Sequence, residues 1–198
     1  MLPNNVWNSW HMLTLIGGVV ALHGIATGVL VPGSLDPRMM TSMILFSCGV
    51  CTLVLSLMLR KWTGARIYFW IGGLRLVGAL AAITTRVPGG ADYRHLVVIM
   101  MILISVLEFL AAARLRQAEE PHRALQLSAL IGILASAGLL HNYPVISDEK
   151  MGVLLGVSMS MSGLAIIGLG FVTRRLCQVA HSALRQIEAP ESVKTASV

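Results

Sequence analysis

The chain has 198 residues, of which 56% are apolar and 12% charged, and its mean hydropathy is +0.77. Soluble domains carry about a quarter of their residues as charges, so these figures exclude a soluble globular domain and describe an integral membrane protein. The net charge of +6 comes from basic residues gathered at the ends of apolar runs, as in cytoplasmic loops, and calls for no nucleic acid.

Crossing a ~30 Å hydrocarbon layer takes about 20 helical residues, and six runs of that kind follow one another. The first, Trp10 to Val31, has no Lys or Arg before it and exceeds a signal-peptide core, so it reads as a retained span. The cluster Pro32-Gly33-Ser34-Leu35-Asp36-Pro37 closes it with turn chemistry. Met39 to Leu59 is the second span and ends at Arg60-Lys61. The third, Ile67 to Thr85, is followed by the turn Val87-Pro88-Gly89-Gly90. The fourth, His95 to Ala113, ends at Arg114 and Arg116. A polar connector, Gln117 to Arg123, leads to the fifth, Leu125 to His141, and the turn Asn142-Tyr143-Pro144. The sixth, Met151 to Val172, follows Asp148-Glu149 and ends at Arg174-Arg175. In lipid only helices or closed barrels satisfy their own backbone, and these runs are too long for strands. The expected class is all-α and polytopic; a broken or re-entrant fifth span, the shortest, is the alternative.

Orientation follows from the basic residues. Nine of them (Arg60, Lys61, Arg66, Arg114, Arg116, Arg123, Arg174, Arg175, Arg185) flank one side and four (Arg38, Arg86, Arg94, Lys150) the other, which puts both termini in the cytoplasm. Ala21-Leu22-His23-Gly24-Ile25, Gly73-Leu74-Arg75-Leu76-Val77 and Ala129-Leu130-Ile131-Gly132-Ile133 begin 52 and 56 residues apart. Each is followed by a proline turn and a second helix ending in basic residues, so the chain reads as three repeated helical hairpins, about 10–60, 67–116 and 125–175. These make a membrane domain over 1–175. From Arg174 to Ile187 an amphipathic segment lies on the inner leaflet in this reading; a polar, disordered tail ends the 176–198 region.

The segments Leu22-His23-Gly24-Ile25-Ala26-Thr27-Gly28, Val106-Leu107-Glu108-Phe109-Leu110-Ala111-Ala112-Ala113-Arg114-Leu115-Arg116 and Ser162-Gly163-Leu164-Ala165-Ile166-Ile167 resemble the HdeD-like family of six-span bacterial membrane proteins, also catalogued as a domain of unknown function. The resemblance covers roughly residues 12 to 175. His23-Gly24 stands where Arg-Gly is expected, and Ser105 where Gly is expected. It implies a protein of the bacterial inner membrane linked to acid stress, with no catalytic residues to carry over.

Three intramembrane polar residues are the candidate site: Arg75, Glu108 and His23. An Arg at a span centre costs about 2.5–3.5 kcal/mol, and the eight Leu, Ile, Val and Phe residues of the third span return roughly 2.4–4.8, so insertion nearly balances and Arg75 needs a partner. It lies about 13 Å above Arg66 and Glu108 about 9 Å above Arg114 at 1.5 Å per residue, a similar depth on neighbouring antiparallel helices. One reading is a buried ion pair that fixes packing; the other makes Glu108 a proton or ion carrier gated by Arg75. His23 occupies the repeat position matching Arg75 and reads as an interface polar residue, a pH sensor or a haem ligand. Its depth matches His141 poorly, which disfavours a cytochrome. Cys48 and Cys51 share a face but lie roughly 14–18 Å into the membrane, so packing outweighs redox or metal chemistry. Met159 and Met161, two residues apart, do not face the same way, which weakens a copper reading. Gly152-Val153-Leu154-Leu155-Gly156 marks a close helix seam, internal or oligomeric.

No Ser-His-Asp set, metal-ligand cluster or phosphate loop lies in a suitable context, so the expectation is a non-enzymatic protein without metal or cofactor. Its partner is the lipid bilayer, with a homo-oligomer or a larger membrane complex as further partners. The first functional reading is stress tolerance or membrane integrity. The second is an accessory subunit of a larger complex. The third is a small proton, ion or solute transporter using Arg75 and Glu108.

Overall fold

The computed structural model describes residues 5–59, 65–84, 91–117, 122–141 and 147–195. They form six α-helices: α1 (Asn5–Leu30), α2 (Pro37–Met58), α3 (Ala65–Thr84), α4 (Ala91–Gln117), α5 (Arg123–His141) and α6 (Asp148–Thr195). Each contains a segment long and apolar enough to cross a membrane, so the protein is a six-helix polytopic membrane protein. α5 is one unbroken helix of 19 residues, which removes the re-entrant alternative. The Pro88-Gly89-Gly90 turn, the Arg60-Lys61 pair, most of the connector before Arg123 and the Asn142-Tyr143-Pro144 turn lie outside the described residues.

Local chemistry sets two helix starts. Asp36 caps α2 by accepting from the Met39 N–H at 3.0 Å, with Pro37 at the first helical position, where its missing N–H costs nothing. Ser147 Oγ accepts from the Lys150 N–H at 3.2 Å at the start of α6, and Asp148 and Glu149 occupy its first turn, favourable against the helix dipole.

Each helix packs on its neighbours in chain order, and α6 closes back on α1, so the bundle is a closed ring. The tightest seams are not the hairpins of the sequence: α1 packs most extensively on α6 and α2 on α3, more closely than α1 on α2 or α3 on α4. Small residues cause this. Along α1/α6, a Cβ placed on Gly156 would lie 2.6 Å from the Gly28 nitrogen, and one on Gly17 2.5 Å from the Gly163 carbonyl oxygen. Gly152-xxx-Gly156 therefore marks an internal seam, against Val31, Gly24 and Gly28. The same approach recurs around the ring: Gly24 meets Ser160, Leu76 meets Gly49, and Gly132 meets Ser105. Gly24, Leu76 and Gly132 stand 52 and 56 residues apart, the spacing of the sequence repeat.

Outward, Leu22, Ile25, Val29, Phe46, Trp70, Val77, Leu80 and Leu134 are exposed and make an apolar outer surface. α6 differs most from expectation. It continues through Arg174-Arg175 to Thr195 as one helix of 48 residues, so the C-terminal amphipathic segment extends α6 instead of forming a separate element, and the expected disordered tail is helical as far as Thr195. Between Phe171 and Ala189 there is neither Gly nor Pro to stop it, which accounts for the helix as far as Ala189; it then runs on through Pro190.

Candidate functional site

The polar residues converge inside the ring at mid-depth. Arg75, on the inner face of α3, is 3% exposed, and so is Glu108 on α4. Their depths match less well than distance from the basic ends suggests. Gly78 of α3 packs on the Met100 side chain of α4, so in this antiparallel register Arg75 sits level with residue 103, five residues and about 7 Å short of Glu108. The consequence is a correction: no nitrogen–oxygen contact of 4.0 Å or less joins them.

Each charge is held instead by polar groups of other helices. Arg75 Nη1 donates to Thr52 Oγ1 at 3.0 Å and to Cys48 Sγ at 3.3 Å, both on α2. Its Nε has no hydrogen-bond partner. The Glu108 carboxylate accepts from Ser128 of α5 at 3.0 Å through one oxygen and from Ser162 of α6 through the other. Arg75 thus ties α3 to α2, whereas Glu108 ties α4 to α5 and α6.

Both charges line one small cavity, of about 10 Å³, with Met100, Met101, Ser158 and Met159. That is the threshold for a single water. A buried charge is tolerated when its lone pairs and hydrogens find partners; here the hydroxyls do part of this, and the Nε–H of Arg75 is left over. Tyr68, two turns before Arg75 on α3 and 5% exposed, lies within electrostatic reach of both charges.

His23 is not part of this cavity. It bridges α1 and α2: Nδ1 is 2.7 Å from the Val19 carbonyl oxygen and Nε2 2.8 Å from Ser47 Oγ. Cys48 and Cys51 are free thiols, and Cys48 serves as the sulfur acceptor for Arg75. Met159 faces the cavity and its sulfur accepts from Thr27 at 3.8 Å. No cluster of three His, Cys, Asp or Glu side chains suited to a metal occurs among the described residues.

Sequence reasoning missed Ser128, Ser162 and Thr52, which look like the small residues of helix seams. It also missed a second polar group at the opposite end of α4. There Asp148 Oδ1 accepts from Tyr93 Oη at 2.5 Å and from Arg94 Nε at 2.8 Å, joining the starts of α4 and α6. An aromatic followed by Arg at a helix start, with an acid opening another helix, was the available signal. No family model, curated protein or solved structure matches the chain.

Proposed function

We propose that the chain is a non-enzymatic, HdeD-like protein of the bacterial inner membrane, with both termini in the cytoplasm. In this reading it serves stress tolerance, and the Arg75–Glu108 cavity is its working part. The observation that carries the proposal is the separation of the two charges. Opposite charges kept only for packing gain most by touching, because attraction in the interior grows steeply as they close. Here they share a cavity without joining, each fastened to a different group of helices. Intramembrane charges are functional candidates by default, and a gap between them gives this pair room to act.

The test is survival of acid challenge by cells making the wild type, Glu108→Gln or Arg75→Gln at matched membrane levels. Loss of protection with normal protein levels supports a working site. Equal survival at equal levels reduces the pair to packing.

The two intramembrane charges also favour a second reading, a small carrier of protons, ions or solutes gated at this point. Protein reconstituted in liposomes with an internal pH dye would give a flux abolished by Glu108→Gln.

A further inference from the structure

The chain of contacts through His23 holds one acceptor more than it has hydrogens to fill. The Val19 carbonyl, 2.7 Å from His23 Nδ1, only accepts, so Nδ1 carries a hydrogen. The Ile44 carbonyl, 3.0 Å from Ser47 Oγ, also only accepts. Between them His23 Nε2 lies 2.8 Å from the same Ser47 oxygen. In a neutral imidazole with Nδ1–H, Nε2 is a bare acceptor, and the single hydroxyl hydrogen of Ser47 serves either Nε2 or Ile44. Three contacts then share two hydrogens. One added proton on Nε2 completes the set: Nδ1–H donates to Val19, Nε2–H to Ser47, and Ser47 to Ile44.

We infer that His23 and Ser47 form a proton-binding site in which uptake of one proton at Nε2 turns the Ser47 hydroxyl from His23 to the Ile44 carbonyl. The proton comes from water, no other bond changes, and the imidazole becomes a cation with both N–H groups satisfied. The inference stands on this count of hydrogens and is independent of the stress-tolerance reading.

The surroundings give the switch a direction. α1 packs on α2 and α6. From α6 the neighbouring groups are Gly156, Ser160 and Met159, none of them titratable. From α2 the titratable groups on the adjoining turns are the thiols of Cys48 and Cys51, and the charged group that reaches this part of α2 is Arg75, through Cys48 Sγ. In an α-helix the Ile44 carbonyl receives the N–H of Cys48. A hydroxyl arriving at Ile44 therefore adds a second donor to the turn of α2 that holds Arg75, so charge on α1 is reported to α2 beside the central cavity.

The experiment uses the full chain in lipid nanodiscs, with ¹⁵N-labelled histidine and a ¹³C label at the Ile44 carbonyl, scanned from pH 8 to pH 5, where unperturbed imidazole changes charge. His23→Gln identifies its signals among the six histidines. The expected result has Nδ1 protonated and Nε2 bare at high pH, both protonated at low pH, and a downfield shift of the Ile44 carbonyl with the same midpoint as the ring. That carbonyl shift is lost in Ser47→Ala and retained in Ser47→Thr, which keeps a hydroxyl. An Ile44 carbonyl that stays fixed while the His23 ring titrates overturns the inference, as does a ring carrying its neutral hydrogen on Nε2 or one that never titrates. These readings are made on the wild type, with His23→Gln used only to assign the ring, and hold if Ser47→Ala fails to fold.

Discussion

Replacing Arg75 with Met and Glu108 with Gln, singly and together, measures what the two charges do for each other across the cavity. Met keeps most of the volume of the arginine stem, and Gln keeps the shape of the glutamate with one acceptor oxygen for one of the two hydroxyls of Ser128 and Ser162, while its amide N–H donates to the other hydroxyl oxygen. At any separation beyond 4 Å and an effective dielectric near 20, the attraction is at most about 4 kcal/mol. Removing one partner of a buried pair in contact costs about 3–5 kcal/mol. Both charges here retain hydroxyl partners, so each single substitution should cost less, about 2–3 kcal/mol. The double variant carries no uncompensated buried charge and should be more stable than the sum predicts by about 1–3 kcal/mol. Reversible unfolding in mixed detergent and SDS gives all four stabilities. Additivity to within about 0.5 kcal/mol would refute the reasoning, because it would mean that the charges do not sense each other despite lining one cavity.

Three further outcomes follow from the packing and the second polar group. Gly156→Ala should destabilise by about 1–3 kcal/mol, since its methyl group meets the Gly28 and Gly24 backbone. Gly18→Ala, with nothing within 4 Å, should instead gain up to about 1 kcal/mol of helix propensity; thermal unfolding in nanodiscs separates the two. Asp148→Asn should lower stability by less than about 1 kcal/mol, because its ion pair is 24% and 31% exposed, and the loss should shrink with added salt. In a Cys177→Ser background a membrane-permeant maleimide should label neither Cys51, inside an apolar span where the reactive thiolate is disfavoured, nor Cys48, fully buried against Arg75, in the native protein, and both should react after unfolding. Mass spectrometry of the labelled peptide checks this.

The six crossings were legible because the bilayer leaves a backbone so few choices. Their ends were less so. Hydropathy stops at the first charge, so α4 was expected to begin at His95 and α6 at Met151. Yet α4 begins at Ala91, and Asp148 and Glu149 belong to the first turn of α6, where the positive end of the dipole welcomes acids. The depth of Arg75 and Glu108 was legible to within a turn or two, which sufficed to bring them to one cavity but not to decide whether they touch. That decision rests on the register of α3 against α4, set by Gly78 on Met100, a contact that no pattern along one chain segment reveals. The hydroxyls of Ser128 and Ser162 were invisible for the same reason. They acquire meaning only when three helices bring them to one carboxylate.

The repeat and the site pull in opposite directions, and that conflict explains why the polar residues are where they are. Three similar hairpins alone would make a ring with equivalent seams, and the recurring contacts of Gly24, Leu76 and Gly132 have that character. The neighbouring position breaks the equivalence: it is His23 in the first unit, Arg75 in the second and Ile131 in the third. A permanent cation, a titratable ring and an apolar side chain thus occupy corresponding places on a common frame. Glycine-lined seams tolerate little distortion, since added atoms would meet backbone. Movement in the ring should therefore concentrate at the looser contacts of α2 with α1 and of α3 with α4. Those two contacts flank the α2/α3 pair that carries Arg75. An altered charge at His23 or Glu108 acts on this pair from its two sides, through Ser47 on α2 or across the cavity, while the tight α1/α6 seam keeps the ring closed.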